Sequence, residues 1–363
     1  MITLETQDGY SFSFPKMFLN YKFIKKVGCG STCAVILVED QTTKERYSAK
    51  IIPKEQNKQD KSFQQTKTEI EILKTLDHPN IIKIHDSFEI QTEEGNEFMI
   101  IIAEYCENGT LIDYVIESKH QNDQIIKKIL QDFTSSIRYL HDKGISHGDI
   151  KPDNILLDSK LRPKLCDFGF CHTKIIEDED MKNGTLYYAA PELFKCGKFN
   201  SQKADIYAIG ITLHCSMEIH FPFKEGDQDC IIRQIVSGKL CIGKEIDEKL
   251  RRLVVKCTDL NPNKRPTIEE VIKDEYFTGK QNENEKEIHT KIINENIDNS
   301  KGIDIDKFDI EYEFEKEIEE IYDFCFFIKY KKHKYPKRKP NKKIKKTKKW
   351  KEDKNKYRVE LML

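Results

Sequence analysis

The segment Val27-Gly28-Cys29-Gly30-Ser31-Thr32-Cys33-Ala34-Val35 sets two glycines in a turn between apolar runs. Glycine lacks a Cβ, so the backbone there can approach a phosphate and turn N–H groups toward its oxygens. Where a third glycine would extend the pattern stands Cys33, small enough for the loop to close. A hairpin of this kind is commonly only a turn. Downstream, Tyr47-Ser48-Ala49-Lys50-Ile51-Ile52 places one lysine in an apolar strand. Its ammonium could snorkel at a strand edge, or serve as a fixed cation for phosphate oxygens. The second role needs a carboxylate to hold the side chain. Glu69, well spaced from Leu73 on the next helix, is the expected partner, with Glu71 as competitor.

The stretch Ser146-His147-Gly148-Asp149-Ile150-Lys151-Pro152-Asp153-Asn154-Ile155-Leu156-Leu157 is followed, eighteen residues after Asp149, by Asp167-Phe168-Gly169. Ala190-Pro191-Glu192, Asp205-Ile206-Tyr207-Ala208-Ile209-Gly210 and Arg265 come later. In this order the blocks resemble the catalytic loop, the metal-binding motif, the end of the activation segment and the following helix of eukaryotic serine/threonine protein kinases. The resemblance covers about residues 21–277. Leu76-Asp77-His78-Pro79-Asn80-Ile81 and Asn261-Pro262-Asn263-Lys264-Arg265-Pro266-Thr267 look closest to the calcium/calmodulin-dependent-kinase-like group.

The resemblance implies an ATP- and Mg²⁺-dependent enzyme acting on protein substrates. Asp149 would orient the attacking hydroxyl and accept its proton, and Lys151 would stabilise the transferring phosphoryl group. Thr185, after Gly184, would bond both. Asn154 and Asp167 would hold Mg²⁺ through hard oxygen ligands. Val27, Gly28, Gly30, Val35 and Ala49 would border the nucleotide. Lys50, held by Glu69, would reach its phosphates. Ala103 would sit behind the adenine, and the backbone of Glu104 and Cys106 would hydrogen-bond it. Arg265 would pair with Glu192. Lys151 and Thr185 favour Ser/Thr over Tyr as acceptor, and Asp153 would weakly favour basic residues upstream of it.

Several positions depart from the family pattern. Gly148 stands where many kinases carry an arginine that binds a phosphorylated activation loop, which leaves a loop phosphate without its main partner. The acidic run Glu177-Asp178-Glu179-Asp180 could mimic phosphate, although such runs are more often solvated loops. Activity independent of loop phosphorylation is therefore expected. Ala103 is smaller than the usual side chain beside the adenine, which implies sensitivity to bulky purine analogues. Thr110 stands near the expected ribose position, where an acid is common. Cys29, Cys33 and Cys166 would line the nucleotide pocket as small packing residues rather than redox sensors.

These groups need a scaffold. Residues 21–53 alternate as three short strands, 62–76 reads as a helix stopped by His78-Pro79-Asn80, and 81–105 returns to strand-like runs. Residues 111–143 and 201–277 are mostly helical in spacing. The expected fold class is therefore α+β: a bilobal kinase fold with an antiparallel β-sheet N-lobe carrying one regulatory helix and a mainly helical C-lobe. The expected organisation is an N-terminal lead at 1–20, a kinase domain at 21–277 (lobes 21–105 and 107–277), an acidic segment at 278–325 and a polybasic tail at 326–363.

Composition bounds the rest. The net charge of −1 hides an asymmetry: residues 329–358 carry seventeen Lys/Arg against two acidic residues, while 281–323 carry fifteen acidic and five basic. Such a tail could bind polyanions weakly, such as nucleic acid or anionic membrane, or fold back on the acidic segment. Pro336 and Pro340 argue against one continuous helix there. The 11 cysteines show no CxxC pairing and read as reduced thiols. No secretory signal, myristoylation glycine or membrane-length apolar run is present, so the expectation is a soluble protein of the cytoplasm or nucleus; the sequence leaves its oligomeric state open, with a monomer as the default.

Overall fold

A computed structural model describes residues 1–30, 32–54, 61–93, 95–118, 123–172, 185–195, 198–243 and 246–279. The acidic run 177–180, Gly184, the acidic segment beyond 279 and the polybasic tail lie outside the described residues.

The chain opens with strands β1 (Ile2–Glu5), β2 (Ser11–Phe14) and β3 (Met17–Phe18). β1 and β2 form their own antiparallel hairpin, Ile2 opposite Phe14 and Glu5 opposite Ser11. The expected lead is therefore a folded element. Its signal is visible in hindsight: Ile2/Leu4 and Phe12/Phe14 alternate with polar residues about an Asp8-Gly9 turn, and Gly9 takes φ 80°.

A six-stranded antiparallel sheet follows, in the order β3-β4-β5-β6-β8-β7. Its further strands are β4 (Tyr21–Cys29), β5 (Ala34–Asp40), β6 (Arg46–Pro53), β7 (Ile84–Gln91) and β8 (Glu97–Glu104). Helix α1 (Lys61–Lys74) crosses between β6 and β7. Side chains alternate between sheet faces, so each face has its own core. Ile52, Met99 and Ile101 pack with Phe63 and Ile70 of α1. On the other face Ile36, Val38, Ala49, Ile51, Ile100 and Ile102 pack with Leu4, Phe12 and Phe14 of the hairpin.

The second part is helical: α2 (Leu111–Ser118), α3 (Asp123–Asp142), α4 (Ser201–Glu218), α5 (Gln228–Ser237), α6 (Glu248–Cys257), α7 (Ile268–Lys273) and α8 (Glu275–Thr278). A two-stranded ribbon, β9 (Ile155–Leu157) with β10 (Pro163–Leu165), lies between α3 and α4. Ile126, Ile129, Leu130, Phe133, Ile137 and Leu140 recur at helical spacing on α3 and are all buried. α4 is buried around nearly its whole circumference, its polar Asp205, Thr212, His214 and Ser216 included, as befits a helix through the centre of a lobe. Asn200 caps its start by accepting from the Lys203 N–H. α7 begins with a capping box in which Thr267 and Glu270 bond each other's backbone N–H. Among the described residues, no helix is long and apolar enough to cross a membrane.

Candidate active site

The catalytic-loop residues leave α3 and run beneath the buried α4. Asp205 of α4 accepts from the backbone N–H of His147 at 2.8 Å and of Gly148 at 3.0 Å. His141 Nε2 lies 2.9 Å from the same carboxylate. A buried acid bonded by consecutive amides fixes the backbone just ahead of Asp149.

Asp149 is 5% exposed and ringed by donors. Its Oδ1 accepts from the Thr185 N–H and Oγ1, both at 3.2 Å. Its Oδ2 accepts from Asn154 Nδ2 at 2.9 Å and faces Lys151 Nζ at 2.9 Å. Lys151 also donates to Thr185 Oγ1 at 2.6 Å. The carboxylate is thereby held in one orientation beside a cation.

A second cluster joins the sheet to the ribbon. Lys50 Nζ lies 2.9 and 3.1 Å from the Glu69 carboxylate of α1 and 3.2 Å from Asp167 Oδ1. The competitor Glu71 is not part of this cluster. Burial pushes the Lys50 ammonium down, but Asp167 and Glu69 outweigh it and hold its pKa well above the usual lysine value. The Lys50 charge in turn holds Asp167 below the usual carboxylate range. The two clusters are linked through Asn154, whose carbonyl accepts from the Cys166 N–H at 3.0 Å. Phe168 is fully buried, its ring 5.0 Å from that of His147 in an edge-to-face contact. That burial seats Asp167 toward Lys50.

The strip of sheet expected to border a nucleotide differs from the sequence reading at one residue. Gly28 pairs with Val35 and Val35 with Lys50, which aligns these positions along one strip of sheet. Ala49 points the other way and is fully buried in the hairpin-facing core. Ser48 shares the Lys50 face instead, since side chains alternate along β6. Its Oγ lies 3.2 Å from the carbonyl of Ala103 and 3.1 Å from that of Glu104. Counting back two positions from Lys50 finds Ser48; matching the apolar residue beside the lysine finds Ala49.

Gly30 closes the turn by donating to the Cys33 carbonyl at 2.9 Å, and Val27 is partly exposed on β4. The Glu104 side chain is anchored by Lys164 Nζ at 2.9 Å and by the Lys83 N–H at 2.8 Å. Thr110 caps α2, its Oγ1 2.6 Å from Asp113 Oδ2. Asp113, which the sequence reading did not single out, thus supplies an acid beside Thr110. Burial pushes the thiols of Cys33 and Cys166 up, and that of buried Cys106 up to about 12. These groups stay protonated at neutral pH and behave as packing atoms.

Ala103 pairs with Ser48 across β6 and β8, so its methyl is on the Lys50 face. Lengthening it adds bulk where a purine analogue's extra group would go. Overlap of that kind costs about 1–3 kcal/mol, so Ala103→Met is expected to weaken inhibition by a bulky purine analogue roughly tenfold or more. ATP KM should move little. Equal inhibition of both proteins would show that this position does not gate the cleft.

Asp149, Lys151, Thr185, Asn154, Asp167, Lys50 and Glu69 thus converge between sheet and helices. A model of the protein kinase domain matches residues 21–277 of the chain. The chain belongs to the protein kinase domain family. This kinase-domain chain is 29% identical over 264 residues to a carbon catabolite-derepressing protein kinase of Secale cereale, covering 71% of this chain and 51% of that protein. It is 27% identical over 261 residues to CBL-interacting protein kinase 32 of Oryza sativa subsp. japonica, covering 71% and 58%. It is 28% identical over 261 residues to serine/threonine protein kinase OSK3 of Oryza sativa subsp. indica, covering 71% and 50%. The chain spans about half the length of the curated relatives it matches.

Proposed function

We propose that the chain is an ATP- and Mg²⁺-dependent kinase that phosphorylates serine and threonine hydroxyls of protein substrates. The observation that carries this reading is the Asp149 carboxylate held by Lys151, Thr185 and Asn154 at 2.9–3.2 Å. Phosphoryl transfer is mostly positioning and charge neutralisation, and this group supplies both. Asp149 orients the acceptor hydroxyl and takes its proton. Lys151, bridging Asp149 and Thr185, places a positive charge beside the phosphoryl group in transit. Lys50 binds the nucleotide phosphates, and Glu69 keeps its ammonium in place.

The donor set suits a hard cation. Asn154 Nδ2 is committed to Asp149, bonding its carbonyl at 2.8 Å as well as its carboxylate. Both bonds use the Asn154 amide nitrogen, which leaves its amide oxygen as a hard donor for a cation. Asn154 and Asp167 would hold Mg²⁺ through oxygen. When bound, the ion would neutralise charge on the phosphate oxygens. Transfer of labelled phosphate from ATP to Ser- and Thr-containing peptides tests the reading, and absence of transfer would end it.

Gly148 supports a further part of the proposal, activity without activation-loop phosphate. It takes φ 81°, and a Cβ there would lie 2.4 Å from the Phe170 carbonyl oxygen. No phosphate-binding side chain fits at 148 on this backbone. Phosphatase treatment of the purified protein should leave its activity intact; loss of activity would show that a loop phosphate is needed.

A further inference from the structure

The hairpin formed by β1 and β2 reaches the glycine-rich turn that the proposed reading places over ATP. The Gln7 N–H donates to the Gly30 carbonyl at 2.9 Å. Lys26 of β4 reaches back to the Glu5 carbonyl at 2.8 Å. The hairpin is itself well anchored. Leu4, Phe12 and Phe14 are buried, and the rings of Phe12 and Phe14 lie 5.5 and 5.2 Å from Phe98. Its tip is fixed by bonds from the Thr6 N–H to the Tyr10 carbonyl, from the Gly9 N–H to the Thr6 carbonyl, and from the Tyr10 N–H to Thr6 Oγ1. Thr6 is itself buried.

The turn at Gly30, with Gly28 near the end of β4 before it, has much backbone freedom to lose when it closes on a ligand. That loss weakens binding unless the turn is ordered beforehand. Here Gly30 is held from both sides: its N–H is bonded to Cys33 and its carbonyl to Gln7. We propose that the N-terminal hairpin is a positioning strut that preorganises the glycine-rich turn and so raises nucleotide affinity. Gln7 and Lys26 act through Gly30 and β4 and touch no reacting atom. The inference rests on the reading of this cleft as an ATP site.

Gln7 follows Thr6 in the turn closed by the Gly9-to-Thr6 bond, a position that proline favours. Gln7→Pro therefore removes the donated N–H while suiting the turn. Gln7→Ala keeps that N–H and serves as control. In the full chain, Gln7→Pro is expected to raise ATP KM, and the Kd for a trinitrophenyl-ATP probe, about 3- to 10-fold, the worth of one hydrogen bond. The kcat at saturating ATP and the peptide KM should not change. A merely structural role would lower active-enzyme content and kcat instead. Unchanged nucleotide affinity in Gln7→Pro, a fall in kcat alone, or an equal rise in Gln7→Ala would overturn the proposal. Should Gln7→Pro not fold, Lys26→Met takes its place, with a smaller rise in ATP KM expected and an unchanged value refuting the strut. A wild-type protein that binds the probe but transfers no phosphate would fail the kinase reading and leave the strut measurable through Kd.

Discussion

Asp149→Asn is expected to lower kcat by about 10²–10⁴-fold, the usual worth of a positioned general base, while ATP KM stays near the wild-type value. The substitution keeps the shape and removes the charge. Among the described residues, the hydrogen-bond and ion-pair partners of this carboxylate are donors: Thr185 N–H and Oγ1 at Oδ1, Asn154 Nδ2 and Lys151 Nζ at Oδ2. An amide NH₂ on either side would face one of them. The side chain would lose the orientation that places it against the acceptor hydroxyl, and it could not take the proton. Lys50, Glu69 and Asp167, which the proposed reading assigns to the nucleotide, hold one another through their own contacts. Steady-state kinetics with a Ser peptide would show the split between kcat and KM. A variant keeping more than roughly a tenth of wild-type kcat would remove Asp149 from the role of base.

Arg265→Met is expected to destabilise the fold by about 3–5 kcal/mol, because it strands the Glu192 carboxylate, which is only 12% exposed. The Arg265 side chain is fully buried and paired with Glu192 through two bonds of 2.6 and 2.7 Å. It also donates to the carbonyls of Asp259 and Lys203, both at 2.8 Å, and lies 5.2 Å over the Tyr207 ring. The contacts tie the segment ending at Glu192 to α4 and to the turn before α7. A loss of that size should lower Tm by roughly 6–20 °C. Adding Glu192→Leu should recover part of it, since removing both charges removes the desolvation penalty. A single variant melting with the wild type would show that the pair carries no such weight.

The cluster around Asp149 was legible through the family resemblance, because phosphoryl transfer demands particular residue types at particular spacings. Asp149, Lys151, Asn154 and Asp167 carry that demand in their identities. Lys50 with Glu69 followed from a lone cation in an apolar strand and an acid on the next helix. Other features were hidden for physical reasons. Ala49 and Ser48 are adjacent, and a one-residue offset on a strand moves a side chain to the opposite face. Alternation along β6 puts Ser48 on the Lys50 face, and the register of β6 against β8 sets it opposite Ala103. The hairpin at 2–14 has alternation and an Asp-Gly turn, but two short strands are marginal alone. Their stability comes from Phe98, Ile100 and Ile102, which are far away in sequence. Gly148 reads as a missing arginine; the positive φ and the nearby Phe170 carbonyl that exclude any side chain appear only in three dimensions.

The strut and the catalytic cluster bear on different quantities. The hairpin acts on the glycine-rich turn and hence on nucleotide affinity. In the proposed reading Asp149 acts on turnover. The most direct test of the central reading is transfer of γ-labelled phosphate from ATP to peptides carrying Ser, Thr or Tyr as sole acceptor, with Mg²⁺ and after its removal by EDTA. The predicted result is label on Ser and Thr peptides that disappears with the metal. No transfer, label on Tyr peptides alone, or transfer indifferent to EDTA would contradict it.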